Sequence, residues 1–204
     1  MAKIEEALQE LRTQDKRKFI QTVDLIVTLQ NFDARKESVN TFIKLPNPNE
    51  RKICAFLTRK VKIIDTIIKE EFDRYKNPND IKRLAKKYDF FVAVASVMPA
   101  VATTFGRVLG PMGKMPSPQA GIIALDDDNT VLNVVEKMKS LVRVKTKDKS
   151  IKIAIGKESM SDKELKENVE AALQSLVAVL PRNKANVKNV LVKFTMTKPI
   201  KIDY

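Results

Sequence analysis

The sequence predicts an α+β chain of two domains, one of them discontinuous: residues 1–59 and 146–204 form a single domain, and residues 60–145 are inserted into it as an α/β block. Three observations lead there. The terminal segments carry strand patterns of period two with one polar face, as in a sheet covered on one side only. The middle instead carries helical periods around a continuously apolar run, which suits a parallel strand buried on both faces. Neither terminal segment is long enough to bury a core alone, so the two are expected to complete each other.

At the N-terminus Ile4, Ala7, Leu8 and Leu11 recur at helical spacing. From Phe19 to Leu29 the period drops to two, with Val23, Leu25, Val27 and Leu29 on one face and Lys18, Thr22, Asp24 and Thr28 on the other. Strands over about 38–45 and 52–57 flank Pro46-Asn47-Pro48-Asn49, a turn whose prolines cannot continue a ladder. Ile63–Tyr75 and Asn79–Lys87 have helical periods, Asp89–Ala95 is the apolar run, and 97–105 and 130–139 are helical again. The last of these is entered through Asp126-Asp127-Asp128-Asn129-Thr130, where acidic and capping residues favour a helix start. Leu141–Lys145 and Ser150–Ile155 alternate. Ser161-Asp162-Lys163-Glu164 is a capping box ahead of Leu165, Val169, Leu173, Leu176 and Leu180, and a strand from Val187 to about Met196 closes the chain. The crossings between domains fall near Arg59-Lys60 and Lys145-Thr146-Lys147.

The 204 residues hold 38 Lys plus Arg against 25 Asp plus Glu, a net charge of +13, with no histidine and one cysteine. A Ser-His-Asp triad, a His-ligated zinc, a cysteine cluster and an internal disulfide are therefore out. Cys54, inside Ile53-Cys54-Ala55-Phe56, reads as a small buried hydrophobe with no chemistry assigned. No catalytic, metal or cofactor residue is assigned. The N-terminus lacks the apolar core of a signal peptide, and the long uncharged run beginning at Phe90 is broken by Pro99, so a cytoplasmic protein without a membrane span is expected. Excess positive charge in all three segments is either a solvated lysine surface or the footprint of a polyanion.

Four of the five glycines lie between Gly106 and Gly121, with Pro111, Pro116 and Pro118 among them. Glycine permits close approach and proline stiffens, which predicts a shaped loop with Gly106, Arg107, Gly110, Pro111, Gly113 and Pro116 as its structural residues. A phosphate-binding loop ending at Gly113-Lys114 would need glycine where Val108 stands and Ser or Thr where Met115 stands. A dinucleotide fingerprint lacks its third glycine.

This window, Gly-Arg-Val-Leu-Gly-Pro-Met-Gly-Lys-Met-Pro-Ser-Pro, resembles the signature of the family of large-subunit ribosomal protein one, in its archaeal form. Lys18-Phe19-Ile20-Gln21-Thr22-Val23-Asp24-Leu25 resembles the family's first strand, Ile155-Gly156-Lys157 its central Gly-Lys turn, and Lys193-Phe194-Thr195-Met196-Thr197 its C-terminal Thr-Met-Gly segment. The resemblance implies a split β-α-β, ferredoxin-like RNA-binding domain and an inserted Rossmann-like, three-layer domain that binds no dinucleotide. It further implies binding to large-subunit rRNA at the mobile stalk beside the exit site, assistance to release of exit-site tRNA, and repression of the protein's own mRNA, by a chain that is monomeric when free. Carried over by position, the RNA contacts fall on Lys18, Phe19, Thr22, Asp24, Thr195 and Met196, with Lys193 and Thr197 beside them. Thr22, Asp24, Lys193 and Thr195 share the outward phase of their strands, while Phe19 and Met196 are on the inward phase, where core packing is the alternative. Asp24 accepts bonds from ribose hydroxyls or base amino groups, or else pairs with a neighbouring lysine. Thr197 replaces the family's glycine and is expected to obstruct close approach of the backbone. Two other readings stand beside this one: a sequence-indifferent basic nucleic-acid binder, and a nucleotide-dependent α/β enzyme with magnesium on Asp126, Asp127 or Asp128.

Overall fold

A computed structural model describes residues 3–14, 17–33, 37, 39–49, 51–61, 64–118, 121–124, 126–146 and 148–203. In chain order they form α1 (Ile4–Thr13), β1 (Thr22–Leu29), β2 (Asn40–Lys44), β3 (Ile53–Leu57), β4 (Asp65–Ile68), α2 (Pro78–Lys87), β5 (Phe90–Val94), α3 (Met98–Met112), β6 (Ile122–Ile123), α4 (Asp128–Ser140), β7 (Leu141–Lys145), β8 (Ser150–Lys157), α5 (Asp162–Val179), β9 (Val187–Phe194) and β10 (Ile200–Ile202). Short 3₁₀ segments occupy Lys69–Tyr75 and Asn183–Asn186. The chain separates into two compact units, Met1–Asn49 with Ser140–Tyr204, and Glu50–Lys139.

In the discontinuous unit β1 lies between β8 and β9, antiparallel to both, and the sheet order is β10-β9-β1-β8. Since α5 joins β8 to β9, the connection is a split β-α-β with β1 in the gap. Alternation along β1 buries Val23, Leu25, Val27 and Leu29 and leaves the other four half-buried. The buried face packs on Ala7, Leu8 and Leu11 of α1 and on Leu165, Val169, Leu173 and Leu176 of α5. Helix α5 begins where its capping box dictates: Ser161 Oγ accepts from the Glu164 amide and the Glu164 carboxylate accepts from the Ser161 amide at 2.9 Å. Asn168, fully buried on α5, accepts from the Asn47 amide at 2.9 Å and donates to the Asn47 and Ile155 carbonyls at 2.8 Å. Those bonds pin the Pro46-Asn47 turn to the helix. Strands β2 and β7 form a separate antiparallel pair.

The second unit is a parallel sheet of order β4-β3-β5-β6. Every residue of β3 is buried, as is β5 after Phe90, which is why these strands read as unbroken apolar runs. The core is aromatic: Phe56 lies 5.6 Å from Phe91, 5.8 Å from Phe72 and 4.9 Å from Phe105, centroid to centroid.

Several elements differ from the expectations above. Residues 52–57 do not join the terminal strands; β3 pairs with β4 and β5, so the first crossing lies at residues 49–50 and not at 59–60. Likewise β7 pairs with β2, which moves the second crossing from 145–146 to 139–140. In both cases the strand patterns were legible and the pairing partners were not. The helix expected over Ile63–Tyr75 is β4 followed by the 3₁₀ segment, since β-branched Thr66, Ile67 and Ile68 suit an edge strand; Ile63 itself lies outside the described residues. Ser38 and Lys147, included in the expected strand and crossing, also lie outside them. The Gly-Lys turn at Ile155-Gly156-Lys157 is the end of β8, and β10 adds a strand beyond those the sequence predicts.

The expected glycine loop is the largest correction. Gly106, Arg107, Gly110 and Pro111 belong to α3, because Val101, Phe105 and Leu109 bury at helical spacing and outweigh a cost of about 1 kcal/mol for each interior glycine. Pro111 sits in the last turn, where it removes one helical bond just before the helix ends at Gly113. Gly113, at φ 70°, ends the helix; its amide donates to Gly110 and that of Lys114 to Leu109, the Schellman pattern. Pro116 is buried in the segment that follows.

Gly121 is the glycine this unit most needs. It has φ 115°, its carbonyl accepts from Ala93 of β5, and an added Cβ would stand 2.8 Å from the Phe91 carbonyl oxygen. Gly121→Ala is therefore expected to lower stability by about 1–3 kcal/mol, read as a lower urea midpoint at unchanged slope. An unchanged midpoint would contradict it.

Candidate nucleic-acid interface

Three pieces of the discontinuous unit meet at one end of its sheet: the approach to β1 at residues 17–21, the turn 195–197 after β9, and the link 158–161 between β8 and α5. Arg12 of α1 ties the link down, donating to the Asp162 carboxylate at 2.7 Å and to the Glu158 and Met160 carbonyls at 3.0 and 2.7 Å. Glu158 in turn grips Gln21, its amide donating to the Gln21 carbonyl at 2.8 Å and its carboxylate accepting from the Gln21 amide at 3.3 Å. The Gln21 side chain, 1 % exposed, accepts from the Met196 amide at 3.0 Å.

On this frame the apolar side chains point outward. Phe19 is 53 %, Ile20 65 % and Met196 58 % exposed, so Phe19 and Met196 are not core residues despite their inward sequence phase. Strand pairing stops short of both, and the two-residue period no longer governs their direction. Exposed Arg17, Lys18 and Lys198 surround them. A groove of about 500 Å³ runs along Arg12, Arg17, Lys18, Phe19, Ile20 and Glu158, and a second of about 330 Å³ along Arg17, Met196, Thr197 and Lys198.

Thr22, Asp24, Lys193 and Thr195 occupy the outward phase expected of them. The Thr195 hydroxyl accepts from the Thr22 amide at 3.1 Å and donates to the Thr22 carbonyl at 3.3 Å, extending the β1–β9 ladder by one side-chain rung. Its proton is thus committed inward, and the lone pair left over makes it an acceptor toward a partner. The Thr197 hydroxyl accepts from the Phe194 amide at 2.8 Å and donates to its carbonyl at 3.3 Å. It is folded into the turn.

Asp24 lies opposite Lys193 in the ladder. Partial burial raises its carboxyl above the ordinary range, and the charges of Lys193 and Lys152 oppose that rise without cancelling it. A carboxylate held charged against its own desolvation is a stability cost.

Other groups singled out in the sequence are occupied internally in the second unit. Lys114 Nζ donates to the Ala85 and Tyr88 carbonyls at 2.8 and 2.7 Å, closing the C-terminus of α2. Asp126 accepts from the amide and hydroxyl of Thr58, and Arg59 donates to the Asp126 carbonyl and the Asp128 carboxylate. Thr58 directly follows β3, so this lock stands where doubly wound sheets take a ligand. Burial pushes the Cys54 thiol up to about 12. Among the described residues no group of three or more His, Cys, Asp or Glu is placed to hold a metal, and no helix is long and apolar enough to cross a membrane.

Gln21, Arg12, Glu158 and Ile20 were missed by sequence reasoning. Gln21 alone carried a signal: a polar side chain on the inward phase of β1, one step before its first buried valine.

Residues 11–198 match the model of the ribosomal protein L1p/L10e family. The chain is 35 % identical to large ribosomal subunit protein uL1 of Thermococcus kodakarensis over 98 % of its own length and 97 % of that protein's. Identity to the Pyrococcus horikoshii protein of the same name is 33 %, covering 98 % and 95 %, and to that of Nanoarchaeum equitans 32 %, covering 96 % and 97 %. The chain belongs to the ribosomal protein L1p/L10e family and is of archaeal type.

The raised carboxyl of Asp24 gives a prediction with a definite sign. The native state holds this proton more tightly than the unfolded chain, so wild type and Asp24→Asn should be equally stable in acid, and the variant should gain relative to wild type as pH rises through the native value. Thermal unfolding of both proteins from about pH 3, below the unfolded carboxyl's value, to about pH 8 checks it; a variant that falls behind wild type as pH rises would show that Asp24 is a stabilising ion-pair partner.

Proposed function

We propose that this chain is a constituent of the large ribosomal subunit that binds rRNA at the mobile stalk, through the sheet end where Phe19, Thr22, Asp24, Thr195 and Met196 come together. Family membership and the names of the relatives support the ribosomal part of this reading. The observation that carries the site is the exposure of Phe19 and Met196 beside an inward-committed Thr195 hydroxyl. Apolar side chains exposed this far shield adjacent hydrogen bonds once a partner covers them, and Thr195 and Asp24 are both acceptors. Ribose 2′-hydroxyls and base amino groups supply the matching donors, which favours RNA over DNA. Arg17, Lys18, Lys193 and Lys198 hold the phosphates. The same surface accepts any RNA that presents this fold, which is the basis we assign to repression of the protein's own message. Assistance to tRNA release at the exit site follows from the position on the stalk, and the working compartment is the ribosome in the cytoplasm.

The test is a salt titration of binding to the stalk rRNA fragment and to an unrelated hairpin. A large affinity ratio, with log K falling as log salt rises, is expected; equal affinities at every salt would make the chain a sequence-indifferent binder. Thr195→Val should cost on the order of 1–3 kcal/mol of specific binding, with a small loss of stability from the missing rung to Thr22. A lysine change at Lys193 should weaken both RNAs alike and flatten the salt slope by about one unit.

We also propose that the discontinuous unit suffices for binding. A chain with residue 49 linked to residue 140 should fold and keep most of the affinity; a folded product that has lost the rRNA preference would assign recognition to the second unit.

A further inference from the structure

At position 197 the sequence resemblance implies a glycine, and the structure gives the threonine found there a role. We infer that Thr197 and Gln21 are positioning residues, which hold the turn Thr195-Met196-Thr197 in its RNA-competent shape before RNA arrives; the inference rests on the binding site proposed above. Each side chain replaces a backbone partner that the sheet no longer provides. Beyond Phe194 strand β9 has left the ladder, yet the Phe194 amide is bound by Thr197 Oγ at 2.8 Å and the Met196 amide by Gln21 Oε at 3.0 Å. The Thr197 amide also donates to the Phe194 carbonyl at 3.2 Å. The turn is thereby fastened from two sides, from within by Thr197 and from the approach to β1 by Gln21.

Nothing at this position calls for glycine on conformational grounds. Among the described residues only Asn31 and Asn183 are non-glycine residues with positive φ, so Thr197 adopts ordinary backbone angles. Its hydroxyl supplies the hydrogen bond that a glycine lacks, and its β-branch narrows the unfolded turn's freedom. The effect on binding is consequently opposite to the obstruction expected from sequence. Gln21 reaches the turn because Glu158 holds its main chain on both sides, and Arg12 holds Glu158. A run of side-chain bonds thus leads from α1 to the exposed methionine. Preorganisation of this kind lowers the ordering cost of binding, and it acts on the RNA that fits the turn, leaving phosphate attraction untouched.

The variants are Thr197→Val, which keeps shape and loses the hydroxyl, Thr197→Ser, which keeps the hydroxyl, Thr197→Gly, and Gln21→Met. Amide exchange at Phe194 and Met196 and affinity for the stalk rRNA fragment and an unrelated hairpin are measured on the full chain. Thr197→Val and Thr197→Gly should speed exchange at Phe194, and Gln21→Met at Met196. Each of the three should lose about five- to tenfold in affinity for the stalk fragment and almost nothing for the hairpin. Thr197→Ser should restore wild-type behaviour. Faster exchange with unchanged rRNA affinity would overturn the inference while leaving the binding site standing, and so would tighter binding by Thr197→Gly. A wild type that does not prefer the stalk fragment overturns both. Should Gln21→Met fail to fold, the Val and Ser pair at the surface turn still decides the matter.

Discussion

The structure depends first on β1 being paired on both edges by strands from the far end of the chain. Its neighbours β8 and β9 come from the C-terminal third, so the N-terminal helix and strand have no sheet to join until the intervening residues have been threaded out and back. Loop closure of that length costs entropy that grows only slowly with the number of residues, and the long excursion is tolerable because it folds on a core of its own. The two hydrophobic clusters are accordingly separate, an aliphatic one around β1, α1 and α5 and an aromatic one around Phe56. The crossings occur at short polar stretches beside Asn47 and at the end of α4.

The same pairing creates the candidate interface. Because β1 and β9 end together, both lose their ladder partners at one place, and the chain beyond each must find other bonds or face water. It finds them in side chains: Thr195 to Thr22, Gln21 to Met196, Thr197 to Phe194, Glu158 to Gln21. With the backbone satisfied by inward polar groups, the apolar side chains Phe19, Ile20 and Met196 are displaced outward. The arrangement inverts the ordinary rule for a short stretch, and it is this cluster of exposed apolar side chains that makes the sheet end a candidate interaction surface.

Polar residues in apolar surroundings recur as the device that fixes loops in both units. Asn168 holds the Pro46-Asn47 turn, Asn186 holds the Gln30 and Asn31 carbonyls, and Lys114 closes α2. The two asparagines, fully buried, are costly to bury unless their bonds are made, so each specifies one loop conformation over its alternatives. In the glycine-rich window the lysine is likewise spent on α2, and the first glycines lie along a helix.

Hydrophobic period determined much of this protein from sequence alone. It placed α1, β1, β5, α4 and the capped start of α5, and it put Thr22, Asp24, Lys193 and Thr195 on the outward face, because side-chain direction within an element follows from backbone geometry at short range. Motif resemblance added the family. Period could not say which strand pairs with which, so β3 and β7 were given to the wrong units; an apolar strand looks the same whichever sheet receives it. Nor could it say that burial of Phe105 and Leu109 would carry a helix through Gly106 and Gly110, or that Phe19 and Met196 would turn outward where the ladder stops. Those outcomes turn on contacts between residues far apart in the chain, β1 with β8 and β9 in one unit and Phe105 with Phe56 and Phe72 in the other, which exist only in the tertiary structure.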